Sequence, residues 1–421
     1  METNRSRLPA GDAGWDSRYE AKAVGLLAFG FGMVGLDRFI INPLFPVMQK
    51  DLGLNYQDLG LISAVLALGW GIASVLCGRL SDRVGGKRVL VPAIVVFSLL
   101  VGGSGLAAGL ASLLLIRGLM GLAEGAFVPA SIVATIEASK PSRIGLNVGV
   151  QQMAAPLLGS FLGPLIAVGL LKVLPSWHWV FAVVALPGLL IALLMARVLR
   201  PSRPASPSTE RPAVPWREVL AQRVVLVNTA SMCCLLTALI VLAAFMPNYL
   251  TDHLKLGLDA MGLVLAAMGA GSCLGMMAVP AASDRLGRKR VMALALVAAL
   301  AALWVLPSLT AAPVALASVL FVAAFTITGA LAINIGPLTH AAVPAAIVTT
   351  ATGIVVGVGE IVGGALAPAI AGALAQRAGI TIVPWIATCA TALALLIVLL
   401  AVREPRRGAA PAARRQAGTY A

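Results

Sequence analysis

The sequence predicts an all-α membrane protein of twelve spanning helices, arranged as two parallel six-helix halves. Three observations carry this. Charged residues make up only 11% of the 421 residues while apolar ones make up 59%, whereas a soluble chain carries about 25% charged residues. Apolar segments near the roughly 20 residues needed to cross a ~30 Å hydrocarbon core recur twelve times. Short motifs also repeat at an offset of 202–204 residues. The 43 glycines suit helices that pack closely in lipid. This composition excludes a soluble enzyme and a disordered chain.

Residues 1–21 are polar, mixed in charge and contain Pro9, which reads as a cytoplasmic tail; no cleavable signal peptide is evident. The first six segments fall at 22–47, 58–79, 88–108, 111–137, 144–171 and 177–197, forming an N-terminal bundle over 22–197. Residues 198–222 contain RPSRPASPSTERPAVPWRE, whose Pro, Ser and Arg content marks a cytoplasmic linker rather than a domain. The second six lie at 223–250, 258–281, 290–309, 312–339, 348–376 and 380–402, a C-terminal bundle over 223–402. Residues 403–421 form a cytoplasmic C-tail.

The net charge of +14 would point to nucleic acid in a soluble chain. Its distribution points elsewhere. Of 31 Lys and Arg, 25 fall in the tails, the linker and the loops on their side; four (Lys50, Lys172, Lys255, Arg377) fall on the other side. By the positive-inside rule both termini are cytoplasmic, and no nucleic-acid partner is needed. The five cysteines are dispersed in apolar stretches without CxxC or a partnering His, so they read as packing residues. No metal-ligand spacing and no phosphate-binding loop is seen, so neither a metal, a cofactor nor ATP hydrolysis is expected. No nucleophile and base stand in a catalytic pattern.

The repeat relates SDRVGGKR (Ser81–Arg88) to SDRLGRKR (Ser283–Arg290), Pro43 to Pro247, Gly159 to Gly363 and Pro164 to Pro368. An even number of segments separates equivalents, so the halves run the same way and enclose a site near the midplane. GRLSDRVGGKR, after the second segment, resembles the signature loop of the major facilitator superfamily, Gly-x-x-x-Asp-Arg-x-Gly-Arg-Lys/Arg. Gly86 stands where that signature has Arg, and Pro280 where the second copy would begin with Gly. The resemblance implies that fold, and gating by Asp82 and Arg83 with their counterparts Asp284 and Arg285. An Asp at a helix end beside basic residues also suits a breakable ion-pair lock.

Five charged residues lie inside predicted segments: Asp37, Arg38, Arg117, Glu124 and Glu360. Each costs about 2.5–3.5 kcal/mol at the bilayer centre, so they should face a cavity or one another. Four sit in the N-terminal half, and the repeat does not mirror them: Glu124 faces Thr328, Arg117 faces Phe321, and Asp37–Arg38 face Val241–Leu242. That asymmetry favours function over a structural clamp. Arg117 and Glu124, seven apart, share one helix face about 10 Å apart, while adjacent Asp37 and Arg38 diverge by about 100°. A guanidinium can receive a substrate carboxylate while a nearby acid exchanges a proton, because each charge alters the proton affinity of the other.

GLDRFIINPLFP in the first segment and RGLMGLAEGAF in the fourth resemble the motifs of the anion:cation symporters, which move organic anions, sugar acids among them, with protons or sodium. The resemblance implies that Arg38 binds the substrate carboxylate, that Asp37 and Glu124 are protonation sites, and that Arg117 regulates Glu124. It also implies a substrate contact at Trp70, twelve residues before Asp82. Gly35 stands where some members have Tyr. Of Gln151 and Gln152, Gln152 is the preferred cavity residue. Glu360 reads as a second protonation site or a substrate ligand, and Asn334 and Tyr249 are further substrate-binding candidates.

The expected function is proton-coupled symport of a small organic anion by alternating access. The protein is expected as a monomer in the cell's inner membrane, with protons or sodium as coupling ion. The alternative is a proton-antiporting exporter, since GSFLGP (Gly159–Pro164) resembles part of an antiporter signature. It lacks the closing glycines, and the matching Pro368 points to a bend needed in both halves.

Overall fold

The computed structural model describes residues 16–201, 216–339, 343 and 348–402. The predicted C-tail, most of the N-tail and residues 202–215 of the linker lie outside them. Among the described residues, twelve helices are long and apolar enough to cross a membrane. In chain order they are α1 (Ser17–Leu52), α2 (Tyr56–Val84), α3 (Gly86–Ser104), α4 (Leu110–Ala138), α5 (Pro141–Val173) and α6 (Trp177–Val198). The second half holds α7 (Arg223–His253), α8 (Leu258–Leu286), α9 (Arg288–Ser308), α10 (Pro313–Ile333), α11 (Thr350–Ala378) and α12 (Ile382–Ala401). The linker region contributes a short helix, Trp216–Leu220.

Polar residues set the helix starts. α1 begins at Ser17 rather than at residue 22, because Asp16 caps it by accepting the Tyr19 N–H at 3.0 Å. Arg200, just past α6, then bonds Asp16 at 2.6 Å and lies over the Tyr19 ring at 4.0 Å. α2 begins with a reciprocal box in which Asn55 N–H donates to Asp58 and Asp58 N–H donates to Asn55.

The two signature loops are mirrored in conformation. Gly85 and Gly287 have φ of 90° and 97°, a region that penalises any side chain. Beyond each, a lysine reaches the last helix of its own half: Lys87 Nζ donates to the Leu199 carbonyl at 2.7 Å, and Lys289 Nζ to the Leu399 carbonyl at 2.8 Å. A cation at a helix C-terminus satisfies orphan carbonyls. The Asp82 and Arg83 side chains lie outside the described residues; Asp284 and Arg285 are exposed at the end of α8.

Prolines interrupt equivalent helices. α5 carries a π turn at Pro156–Leu162, and α11 carries one at Glu360–Leu366, 204 residues later. Pro164 and Pro368 have no N–H to give to residues 160 and 364, which favours wider local winding.

The halves meet on the side of the bundle opposite the tails and linker, called the far side below. There α2 packs on α11, and α5 on α8, with small residues in contact. Gly60 lies against Pro368 and Ala369, Gly262 against Val168 and Pro164, and Ala64 and Ala67 against Ala365 and Ala369. Such residues let helix backbones approach closely. Toward the tail-bearing side the same helix faces lose their neighbours. Nothing lies within 4 Å of a Cβ placed at Gly145 or Gly149 on α5, or at Gly353 or Gly357 on α11. The described residues are thus closed on the far side and apart on the tail-bearing side.

Candidate functional site: a charged centre between the halves

Arg38 lies just before the break in α1 at Ile40, where Pro43 withholds an N–H from the Phe39 carbonyl. Its Nη2 reaches across to Glu360 Oε2 of α11 at 2.9 Å, joining the two halves. The pair is mostly enclosed, with side chains 15% and 11% exposed. The Trp70 ring of α2 flanks the guanidinium, 5.8 Å from its centroid, a cation–π arrangement. Glu360 can lie back toward Arg38 because the next turn offers Gly364, where a Cβ would come within 2.6 Å of its Oε2.

Asp37 points the other way, as one helical step requires, and is fully buried in the N-terminal half. Arg117 is 1% exposed; its Nη1 donates to the Asp37 main-chain carbonyl at 3.0 Å. Glu124 is fully buried seven residues along α4. Asp37, Arg117 and Glu124 interact electrostatically, as do Glu124 and Arg38. Among the described residues, no hydrogen bond reaches the carboxylate oxygens of Asp37 or Glu124, nor Nε or Nη2 of Arg117. A cavity of about 20 Å³, enough for one water, lies between the two guanidiniums, with Asn42, Ser63 and Gly364 on its wall.

The remaining candidates divide by position. Gln151 is buried and donates to Ser131 Oγ at 2.8 Å, while Gln152 is half-buried with its amide oxygen unpartnered. Asn334 is buried near the tail-bearing end of the second half, donating to the Asn228 carbonyl at 2.9 Å. Tyr249 sits in a π turn at the far end of α7, its ring 5.2 Å from that of His253. Neither Asn334 nor Tyr249 contacts the Arg38–Glu360 pair among the described residues.

A far-side polar network escaped the sequence reading. Asp252 accepts from Tyr56 Oη of α2 at 2.9 Å, from Asn248 Nδ2 at 2.9 Å and from Thr251 Oγ1 at 3.0 Å. Asn248 also donates to Gln49 of α1 at 2.8 Å, and Tyr56 N–H to Gln376 of α11 at 3.2 Å. Lys172 and Asp259 pair at 2.5 Å nearby. The sequence signal was limited to polar residues at the far ends of α1, α2 and α7, where polar residues are ordinary. Among the described residues, no group of three or more His, Cys, Asp or Glu gathers as a metal site.

Two repeated six-helix bundles meeting around buried charges define the class: a two-bundle helical membrane protein. The chain belongs to the Major Facilitator Superfamily, whose sequence profile matches residues 27–356 and 229–419. It is similar to a hexuronate transporter of Bacillus subtilis (strain 168), at 31% identity over 255 residues, 57% of this chain and 58% of that protein. A putative multidrug resistance protein, MdtD, of Escherichia fergusonii is 30% identical over 180 residues, 42% of this chain and 37% of its own. The chain thus spans less than two thirds of either relative. In three dimensions it resembles a bacterial homologue of the human lysosomal transporter Spinster, inward-facing and unoccupied. That match has a TM-score of 0.72 at 15% identity, covering 93% of this chain and 96% of the other. A mutant of the nucleoside transporter NupG gives 0.72 at 14% identity, covering 90% and 98%. At such identities the likeness concerns the fold.

Proposed function

We propose that the protein is a proton-coupled symporter of a small organic anion, a sugar acid or another monocarboxylate. It works by alternating access, as a monomer in the cell's inner membrane with both termini in the cytoplasm. The observation that carries this is Arg38, a guanidinium held at the junction of the halves beside the buried acids Asp37 and Glu124. Arg38 receives the substrate carboxylate, with Trp70 beside it, Gln152 as a further substrate-binding residue and Glu360 as a second protonation site. Asp37 and Glu124 take up and release the proton, and Arg117 sets how readily they do so. Asp82, Arg83, Asp284 and Arg285 gate the cytoplasmic side. The chain then faces inward here, since its tail-bearing side is the open one. The named activity of the Bacillus subtilis relative supports a hexuronate or similar acid.

A proton-antiporting exporter of drugs or metabolites is the second reading, favoured by the likeness to MdtD. Uptake into proteoliposomes under an inward proton gradient separates the two. D-Glucuronate or a related acid should accumulate, collapse when the gradient is dissipated, and be lost in Arg38→Ala. Glu124→Gln should lose gradient-driven accumulation but keep counterflow exchange. Uptake unchanged in Arg38→Ala would refute the site. A sodium gradient in place of the proton gradient identifies the coupling ion.

A further inference from the structure

We infer that Glu360 is a resident carboxylate occupying the seat on Arg38 that the transported anion must take, and that a proton on Glu360 is what vacates it. The inference rests on Arg38 being the substrate anchor. Arg38 Nη2 is bonded to Glu360 Oε2 at 2.9 Å, a carboxylate on the guanidinium that the substrate carboxylate needs, and Trp70 flanks the same guanidinium. One guanidinium edge cannot hold two carboxylates in a cavity this enclosed. Displacing an ionised Glu360 by an ionised substrate would leave a carboxylate uncompensated, which is costly away from water. A proton removes that cost: Glu360 becomes a neutral acid, Arg38 stays protonated, and the substrate carboxylate accepts the freed N–H. One proton and one anion enter together, so the charge of the site is unchanged.

The surroundings fit a carboxylate that swings. Beyond α1 and α11 the charged groups facing the pair are both on α4: Glu124, acting on Arg38 at longer range, and Arg117, which lines the same small cavity as Arg38. From α7 the titratable neighbour is Cys233, whose thiol lies 3.9 Å from the Val358 carbonyl; α2 contributes Trp70 and Ala67. Glu360 opens the π turn of α11, with Gly359 before it and Gly363 and Gly364 after it. The space above Gly364 is where its carboxylate rests. Because Arg38 and Glu360 belong to different halves, exchanging Glu360 for substrate also exchanges which group spans the junction.

Formate is a suitable probe, being a carboxylate with no other recognition feature. Purified wild type, Glu360→Gln, Gly364→Ala and Arg38→Ala are melted with increasing sodium formate between pH 5.5 and 8, with chloride as ionic-strength control. Glu360→Gln should be stabilised by formate at least tenfold lower concentration than wild type at pH 8. The wild-type response should strengthen toward pH 5.5 more steeply than that of Glu360→Gln, whose remaining slope belongs to Asp37 and Glu124. Gly364→Ala, which crowds the carboxylate while keeping it, should behave as a weaker Glu360→Gln, and Arg38→Ala should not respond. Equal formate responses and equal pH slopes in wild type and Glu360→Gln would overturn the inference. If vesicles still accumulate glucuronate through Arg38 in that case, the transport assignment survives without it. If the formate pattern holds but no organic acid accumulates, Glu360 still yields an anion seat on Arg38 to a proton, and the transport assignment alone falls.

Discussion

Gly60 of α2 and Gly262 of α8 hold equivalent places in the two far-side seams. The three atoms nearest a Cβ on Gly60 belong to Pro368 and Ala369, and those nearest one on Gly262, beginning with Val168 Cγ2 at 2.9 Å, belong to Val168 and Pro164. In both cases they lie on the opposite half. Replacement by Ala therefore strains the closed seam and leaves the inside of each half alone. Any gain in helix propensity is common to both conformations and cancels. Overpacking costs roughly 1–3 kcal/mol per site, so Gly60→Ala with Gly262→Ala shifts the equilibrium by about 2–6 kcal/mol, or about 30-fold to 10⁴-fold, toward a far-side-open form. Spin labels on Lys172→Cys and Asp259→Cys, in a cysteine-free background, report the separation. That ion pair is 59% and 66% exposed, so removing it costs at most about 1 kcal/mol. Pulsed spin-resonance distances should move from one short population to a longer one. A distribution unchanged from that of the glycine protein would refute the reasoning.

Two further outcomes follow from polar contacts. Asp252→Asn removes the charge to which Tyr56, Asn248 and Thr251 donate; hydrogen bonds to charged groups are worth about 1.5–3 kcal/mol. The same labels should show a far-side-open population raised by on the order of tenfold, and no change would remove Asp252 from the latch. The Tyr19 N–H and the Arg200 guanidinium hold the Asp16 carboxyl below its ordinary value of 3.8. A depressed carboxyl stabilises the α1 N-terminus at neutral pH, and that contribution is lost as pH falls through the lowered value. Hydrogen-exchange protection of the first turn of α1, corrected for intrinsic rates, should therefore fall only below about pH 4 and lose that dependence in Asp16→Asn. An equal loss in the variant would assign the effect to another group.

Much of this architecture is legible in the sequence because the bilayer imposes it. Twelve apolar segments can only be helices of spanning length, and the repeated SDR loops relate the halves before any coordinates are seen. The buried charges are legible too, since few residues are as costly to place as Asp37, Arg117 or Glu124. What sequence cannot convey is pairing between distant elements. Arg38 and Glu360 are 322 residues apart, and nothing local to either names the other. The Asp252 network is hidden for a different reason: Gln49, Tyr56 and Asn248 are unremarkable at helix ends, and become a latch only when two bundles bring them together. Lys87 and Lys289 read as topology signals, although their ammonium groups also close the ends of α6 and α12. The π turns escape periodicity, being single-turn widenings inside helices whose hydrophobic pattern hardly changes.

The far-side seams set small residues, Gly60, Ala64, Ala67 and Gly262, against Pro164, Val168, Ala365, Pro368 and Ala369. Parting such surfaces exposes backbone and small side chains rather than large apolar ones. Heat capacity tracks the apolar area exposed to water, so opening these two seams should change it little. The balance between closed and open should then shift only gently with temperature, unlike global unfolding, and would keep a similar poise in cold and warm membranes.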